Sequence, residues 1–448
     1  MKRVDSSGQV TWNVTVNSFE NITAIIDGPN CTIERLLNAS NFSEALKRQH
    51  AKLVFFVNSN IVTFAKIAMN VIPNDKSSLA LRLLVTQIPA FSPKVSQNTD
   101  FIEYMSKFLF ELKDFSIIKL RNYCLTMQFF IKLTNGNFLL QFTNGADLFI
   151  KLLEYEQYLC TYDLINYITS DGHPLFTKYL ETINATNILW DHIKKFRNDR
   201  IKYKFLTNVM SSISLDSEML LFIADSDKFS IIFDDAVQTK DKYLSNSAME
   251  LIYEMCSHCD ESESEDSSSL YQLVFMFLFD HLDQLSTFIA DNSFFSSGKL
   301  KAIEIINGLL SIKEEMPQSV LDAAGSLFSQ IFDYPLLSPL HCGCLSLFTV
   351  LSSTEIEYDF EDFLTKFDVR NKIVHEFDNK SSDKQYYGHL YKITELILEN
   401  KSSKCVLDYW IQYIKGPFTE MQKIINSNYG GDVPSRIQSM TGFDDRYI

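Results

Sequence analysis

Turn-forming residues are scarce in this chain. Glycine occurs 14 times and proline 10 times in 448 residues, about 5% together against the roughly 12% of an average protein. Sandwiches and barrels need a turn every dozen residues or so, which disfavours an all-β architecture. Cysteine is sparse too: eight residues scattered from Cys31 to Cys405. Disulfide frameworks belong to short secreted chains, so these read as reduced thiols of a cytoplasmic protein, with the nucleus as a second compartment. Positive charge is in deficit, 41 Lys and Arg against 56 Asp and Glu for a net charge of −15. General affinity for nucleic acid or an anionic membrane is therefore not expected. No apolar run follows Lys2 and Arg3, so no signal peptide is expected. The most apolar stretch, residues 270–290, is cut by Gln272, Asp280, His281, Asp283 and Gln284; it reads as a buried helix, and no membrane span is expected.

Catalytic signatures are also missing. There is no phosphate-binding glycine loop followed by Lys and Ser or Thr, no Gly-x-Ser-x-Gly elbow and no His-Glu-x-x-His. The Gly-Asp and Gly-Asn-His signatures of metal-dependent phosphatases do not occur; Gly431-Asp432 stands without partners. One metal candidate pairs Cys256-Ser-His258-Cys259 with His341-Cys342-Gly343-Cys344. Cys256 and Cys259 are three apart, so one helix face could offer both thiolates to zinc. Cys342 and Cys344 are two apart and point about 160° from each other on a helix, so they could not join that ion unless the helix breaks at Gly343. Buried thiols are the plainer reading, and neither a metal nor a cofactor is expected.

What the sequence has is helical periodicity along nearly its whole length. Asn41-Phe-Ser-Glu44 has the form of a capping box, and Asp75 is placed to cap a helix that Pro89 stops. Further periodic windows lie near 100–113, 116–134, 146–155, 157–169, 174–183, 186–197, 199–213, 216–224, 227–238 and 242–258. The pattern resumes at 270–290, 298–313, 319–332, 339–352, 359–378, 384–399, 404–414 and 416–427. Asn135-Gly136, Asn144-Gly145 and Asp171-Gly172 punctuate it as turns. Helices joined by short polar turns, without strand alternation, predict an all-α fold: an irregular α-solenoid of HEAT- or armadillo-like repeats built from helix pairs. A compact bundle is the alternative, but the chain exceeds the roughly 250–300 residues at which one core stops growing.

The expected organisation is an N-terminal extension at 1–30, a single helical-repeat domain at 31–428 and a flexible tail at 429–448. Residues 260–269, Asp-Glu-Ser-Glu-Ser-Glu-Asp-Ser-Ser-Ser, contain no apolar side chain and predict a mobile loop inside that domain. Ser262, with Glu265 three residues on, suits an acid-directed kinase; a merely solvated loop is the other reading. The densest basic segment, Lys194, Lys195, Arg197, Arg200, Lys202 and Lys204, has Phe196 and Tyr203 interleaved. It reads first as a solvated face over two core-facing aromatics, then as a contact for an acidic protein or the 260–266 segment, and last as a nucleic-acid surface.

Three segments carry a family resemblance. Thr32-Ile-Glu-Arg-Leu-Leu37 is followed by Leu46-Lys-Arg-Gln-His-Ala-Lys-Leu53 and Phe56; the second is Ser245-Asn-Ser-Ala-Met-Glu-Leu-Ile252; the third is Tyr387-Gly-His-Leu-Tyr-Lys-Ile393. In this order, on a helical chain, they resemble the SAPS-domain family, regulatory subunits of protein phosphatase 6-type Ser/Thr phosphatases. His50 stands where that family usually has Asn, and the third segment has one residue fewer before its glycine. The resemblance implies a non-catalytic scaffold that holds a phosphatase catalytic subunit, with an additional scaffold subunit as a further partner. It also implies partner-binding residues at Tyr387, Gly388 and His389 and at Lys47 and Lys52. In the window 384–399, Tyr386, Leu390, Ile393 and Ile397 form an apolar stripe, and Gly388 falls on the polar face with Lys392, Glu395 and Glu399. A glycine inside a helix costs about 1 kcal/mol relative to alanine, so either the helix begins after Gly388 or something approaches the backbone there. The other functional reading is a generic helical-repeat adaptor for an unrelated protein cargo.

Overall fold

Most of the expected helices are present in the computed structural model of the chain, which describes residues 3–4, 10–11, 19–112, 114–170, 173–213, 226–257, 265–292, 295–310, 316–353, 358–381, 383–400 and 407–426. Among these, the strand pairing is one antiparallel contact of Arg3 with Thr11 and Val4 with Val10. The fold is all-α. The chain divides into two compact units, Met1–Ile223 and Ala224–Ile448, so the single domain expected at 31–428 spans both.

The first unit opens with α1 (Glu20–Ile26), α2 (Ile33–Leu37), α3 (Phe42–Lys47), α4 (Ala51–Ser59), α5 (Ile61–Ala68), α6 (Ser77–Leu84) and the single turn α7 (Ser92–Val95). It continues with α8 (Thr99–Glu111), α9 (Ile117–Leu133), α10 (Asn137–Leu140), α11 (Gly145–Leu153), α12 (Leu159–Ser170), α13 (Pro174–Thr182), α14 (Ala185–Lys195) and α15 (Arg200–Ser212). The later helices form rows. α5, α8, α11 and α14 pack in succession, as do α6, α9, α12 and α15, and α10 packs on α13. The first row starts at residues 99, 145 and 185 for α8, α11 and α14, steps of 145 − 99 = 46 and 185 − 145 = 40. The second starts at 117, 159 and 200 for α9, α12 and α15, steps of 42 and 41. Three helices make each step where the sequence predicts pairs. The window at 174–183 is α13, whereas the short α10 escapes notice because a helix of one turn has too few positions to show a period.

The seams are filled by phenylalanine, of which the chain has 36. Phe101 meets Phe130 at 5.0 Å and Phe130 meets Phe138 at 5.5 Å, joining α8, α9 and α10. Phe108 stacks on Tyr123 at 4.8 Å. Such pairs add about 0.5–1.5 kcal/mol each beyond the area they bury. The turn expected at Asn135-Gly136 is present: both residues are left-handed, at φ 49° and 93°, and glycine holds the larger angle without Cβ conflict. Asn144-Gly145 is different. It starts α11, where the Gly145 carbonyl accepts from the Tyr179 hydroxyl at 3.1 Å.

The second unit contains α16 (Ser226–Val237), α17 (Lys242–Ser257), α18 (Glu265–Asp280), α19 (Leu282–Ala290), α20 (Ser297–Leu310), α21 (Gln318–Asp333) and α22 (Ser338–Ser353). It ends with α23 (Phe360–Lys366), α24 (Val369–Asp378), α25 (Tyr387–Glu399), α26 (Asp408–Tyr413), a π-turn at Ile414–Phe418 and α27 (Thr419–Asn426). α17, α20, α22 and α25 form one row, and α19 packs on both α20 and α21. Phe328, Phe348 and Phe363 bridge α21, α22 and α23 at 5.5 and 5.6 Å.

Several local expectations need correction. The capping box at Asn41 is not made: Asn41 offers no side-chain cap, and Glu44 instead binds Arg48 one turn on at 2.6 Å. Asp75 does not cap α6; Asn74 organises that turn by accepting from the Lys76 N–H at 2.8 Å. Part of the predicted loop at 260–269 is helix, since α18 begins at Glu265; Ser262 lies outside the described residues. The helix expected at 270–290 is two, bent by 62° at His281, and no single helix among the described residues is long and apolar enough to cross a membrane. The helix expected at 359–378 is broken by left-handed Asp368, φ 54°. The windows at 216–224 and from 429 onward, and Asp171-Gly172, lie outside the described residues.

Candidate partner-binding site at the start of α25

The Tyr-Gly-His segment is the first turn of α25, which starts at Tyr387, three residues later than the sequence predicts. Row packing sets its surroundings, with α22 alongside. Tyr386 is fully buried and donates its hydroxyl to Glu376. Lys384 Nζ reaches the same carboxylate at 2.5 Å. Burial pushes the Glu376 carboxyl up, but hydrogen bonds from Lys384 and Tyr386 outweigh it and hold the group below its ordinary value. The same contact raises the Lys384 ammonium. Tyr387 is buried against Phe377 at 5.5 Å, and its hydroxyl accepts from the Ser381 N–H at 2.9 Å. Two tyrosines thus fix this turn from below.

Gly388 faces outward. A Cβ built there meets nothing within 4 Å. Glycine's cost is backbone entropy, which weighs most in mid-helix and less in this first turn. His389 is half-buried, with Nε2 at 3.5 Å from Sγ of the exposed Cys342 on α22 and its ring 5.3 Å from His341. His341 is fully buried and its Nε2 donates to the Tyr334 carbonyl at 3.0 Å. Neither histidine's Nδ1 has a hydrogen-bond partner. Burial lowers both imidazoles, and for His341 the neighbouring His389 adds to the effect, so both are neutral at pH 7. A thiol beside an imidazole has the form of a nucleophile and its base, but no third group orients His389 through Nδ1. The adjoining loop is tied on by the Gln385 N–H donating to the Pro335 carbonyl at 2.9 Å, and its Leu336 is 63% exposed. The first turn of α25 is thus open at Gly388, and Leu336 on the tied loop is exposed.

The other sequence candidates lie elsewhere. Lys47 and Lys52, in the first unit, flank His50. Lys47 is exposed in the last turn of α3, and Lys52 is paired with Asp27 at 2.7 Å, tying α4 to a helix inside the supposed extension at 1–30. His50 caps α4: its Nδ1 accepts from the Leu53 N–H at 3.4 Å and its Nε2 donates to Thr23 at 3.3 Å. In the basic segment, Tyr203 is core, Lys194 pairs with Asp191 at 2.9 Å and Lys202 with buried Glu156 at 3.4 Å. Lys202 also lies 4.6 Å over the Phe196 ring. For the zinc candidate, α22 runs unbroken through Gly343, leaving Cys342 exposed and Cys344 buried. His258 and Cys259 lie outside the described residues, among which no three His, Cys, Asp or Glu side chains converge on a metal site.

No family model matches the chain, and no curated protein does. Among solved structures it is similar to an engineered protein determined by the Northeast Structural Genomics Consortium, at 12% identity and a TM-score of 0.39 over 91% of this chain and 95% of that one.

Proposed function

We propose that the chain is a non-catalytic helical-repeat scaffold of the armadillo type, whose partner is the catalytic subunit of a phosphatase 6-type Ser/Thr phosphatase. The observation that carries this reading is the start of α25: a glycine with open space at its Cα, between a tyrosine locked into the core and a half-buried histidine. Row helices stepping by 40–46 residues support the solenoid, since armadillo and HEAT repeats are of that length. Stacked repeats leave a long face for gripping another protein. The three ordered segments resembling SAPS-domain proteins narrow the partner to a phosphatase. His50, the departure in the first of them, caps a helix as asparagine would at that position. The mechanism is tethering: holding the catalytic subunit near a substrate raises their effective concentration without chemistry by this chain.

Gly388→Leu is the test, because the space at Gly388 accepts a side chain while the leucine blocks approach to the backbone. Purified from native extract, the wild-type chain is expected to bring down the phosphatase in stoichiometric amount. The variant is expected to lose it roughly tenfold or more, the effect of about 1.4 kcal/mol at an interface, with an unchanged far-UV spectrum. Absence of the phosphatase from the wild-type sample would falsify the partner. Loss of some other protein on Gly388→Leu would instead favour the general adaptor, with α25 still its contact.

A further inference from the structure

Cys124 and Cys160 are 36 residues apart in sequence (160 − 124) and adjacent in the fold. Cys124 sits on α9 and Cys160 on α12, successive helices of one row in the first unit. Both sulfurs reach one hydroxyl, Thr161 Oγ1, at 3.8 and 4.0 Å. They line a cleft of about 410 Å³ open to solvent, together with Arg121, Leu125, Leu159 and Asp163. Cys124 is buried and Cys160 is half-buried.

The two environments differ in the way that separates an attacking thiol from a resolving one. Cys160 is the second residue of a 12-residue helix, where the free N–H groups and the helix dipole favour a thiolate. The Cys124 thiol donates to it, and the hydroxyl and N–H of Thr161 add to this; against burial, they bring Cys160 down to about 6. Donating to that thiolate, and burial, push Cys124 well up.

We infer that Cys160 and Cys124 are a peroxide-reactive dithiol that closes to a disulfide between α9 and α12. The Cys160 thiolate attacks one oxygen of a hydroperoxide. The O–O bond breaks, the sulfur becomes a sulfenic acid, and the departing hydroxide or alkoxide takes a proton to leave as water or alcohol. Cys124, passing its proton to the sulfenic oxygen, then attacks the Cys160 sulfur; the S–O bond breaks and water leaves. Two thiols give up two electrons and two protons in all, and the peroxide takes them. The product fastens one helix triplet of the first unit to the next, and a dithiol reductant opens it again.

The test uses the full reduced chain and hydrogen peroxide, read by peptide mass spectrometry without reduction. The expected product is a Cys124–Cys160 cross-linked peptide that dithiothreitol reverses. In Cys124→Ser, dimedone should trap a sulfenic acid at Cys160; in Cys160→Ser neither product should form. Alkylation of Cys160 should rise through about pH 6, and at pH 7 its oxidation should outpace that of the exposed Cys342 severalfold. Oxidation of Cys160 no faster than of Cys342, or wild-type protein in which neither the cross-link nor a trapped Cys160 appears, overturns the proposal.

Discussion

His341 and His389 show how little of a site's chemistry is written at one position. Each is an ordinary histidine in the sequence, and each is held neutral because a neighbouring helix desolvates it. The sign of the consequence is fixed. A depressed folded-state value means the unfolded chain binds protons first, so stability is full above the ordinary value of 6.5 and declines as pH falls below it toward the folded-state values. Carboxylates held low, such as Glu376, add their loss only below about 4.5. Thermal melts between pH 7.5 and 5.5 should therefore show a falling midpoint, and His389→Phe, which keeps a ring but not a base, should flatten the fall. Parallel curves for wild type and variant would refute the assignment. The pairing of His389 with Cys342 spans 47 residues, and no local pattern could announce it. The Cys124–Cys160 pair was hidden in the same way among eight scattered cysteines. By contrast, the Tyr387-Gly-His turn was legible, because a glycine on the wet face of an amphipathic window conflicts with its surroundings inside the sequence itself.

At the scale of the element, apolar spacing located the helices well and their ends poorly. The spacing reports which face is buried, and that survives local rearrangement. Helix ends depend on single hydrogen bonds, and several residues compete for each one. Asn41 and Asp75 were plausible caps that the structure leaves unused, while Asp199 is a true one, its Oδ1 accepting from the Ile201 and Lys202 N–H groups at 3.2 Å each. Breaks within a periodic window are equally silent: the stripe continues through His281 and Asp368 although the backbone turns there. Asp199→Ala should cost about 1 kcal/mol of stability to α15 and what packs on it, read as a lower urea midpoint with unchanged slope. Asp199→Asn, which keeps an acceptor, should restore most of it. Equal loss in both variants would show that the charge, and not the cap, matters.

At the scale of the whole molecule, each compact unit has its own aromatic seams and buried residues. In the first, Phe64, Phe101, Tyr123, Phe130 and Phe149 are all fully buried. A fragment of residues 1–223 expressed alone should fold to a helical protein with a cooperative thermal transition, as a unit with its own core does. A fragment with a coil-like far-UV spectrum would mean that the first unit depends on the rest of the chain. Residue spacing predicted the all-α class but not this division, because helical patterning is alike on both sides of residue 223 and only contact density separates them.

The near-constant step of the first unit has one more implication. On the solenoid reading proposed above, each triplet would present to the next one a surface much like the surface it receives, so adding or deleting a whole triplet would leave the remaining joints intact. Losing a single helix would instead set unlike faces against each other. Length variation among proteins built on this plan should then come in quanta of some forty residues, whereas changes of ten or fifteen would be confined to the connections.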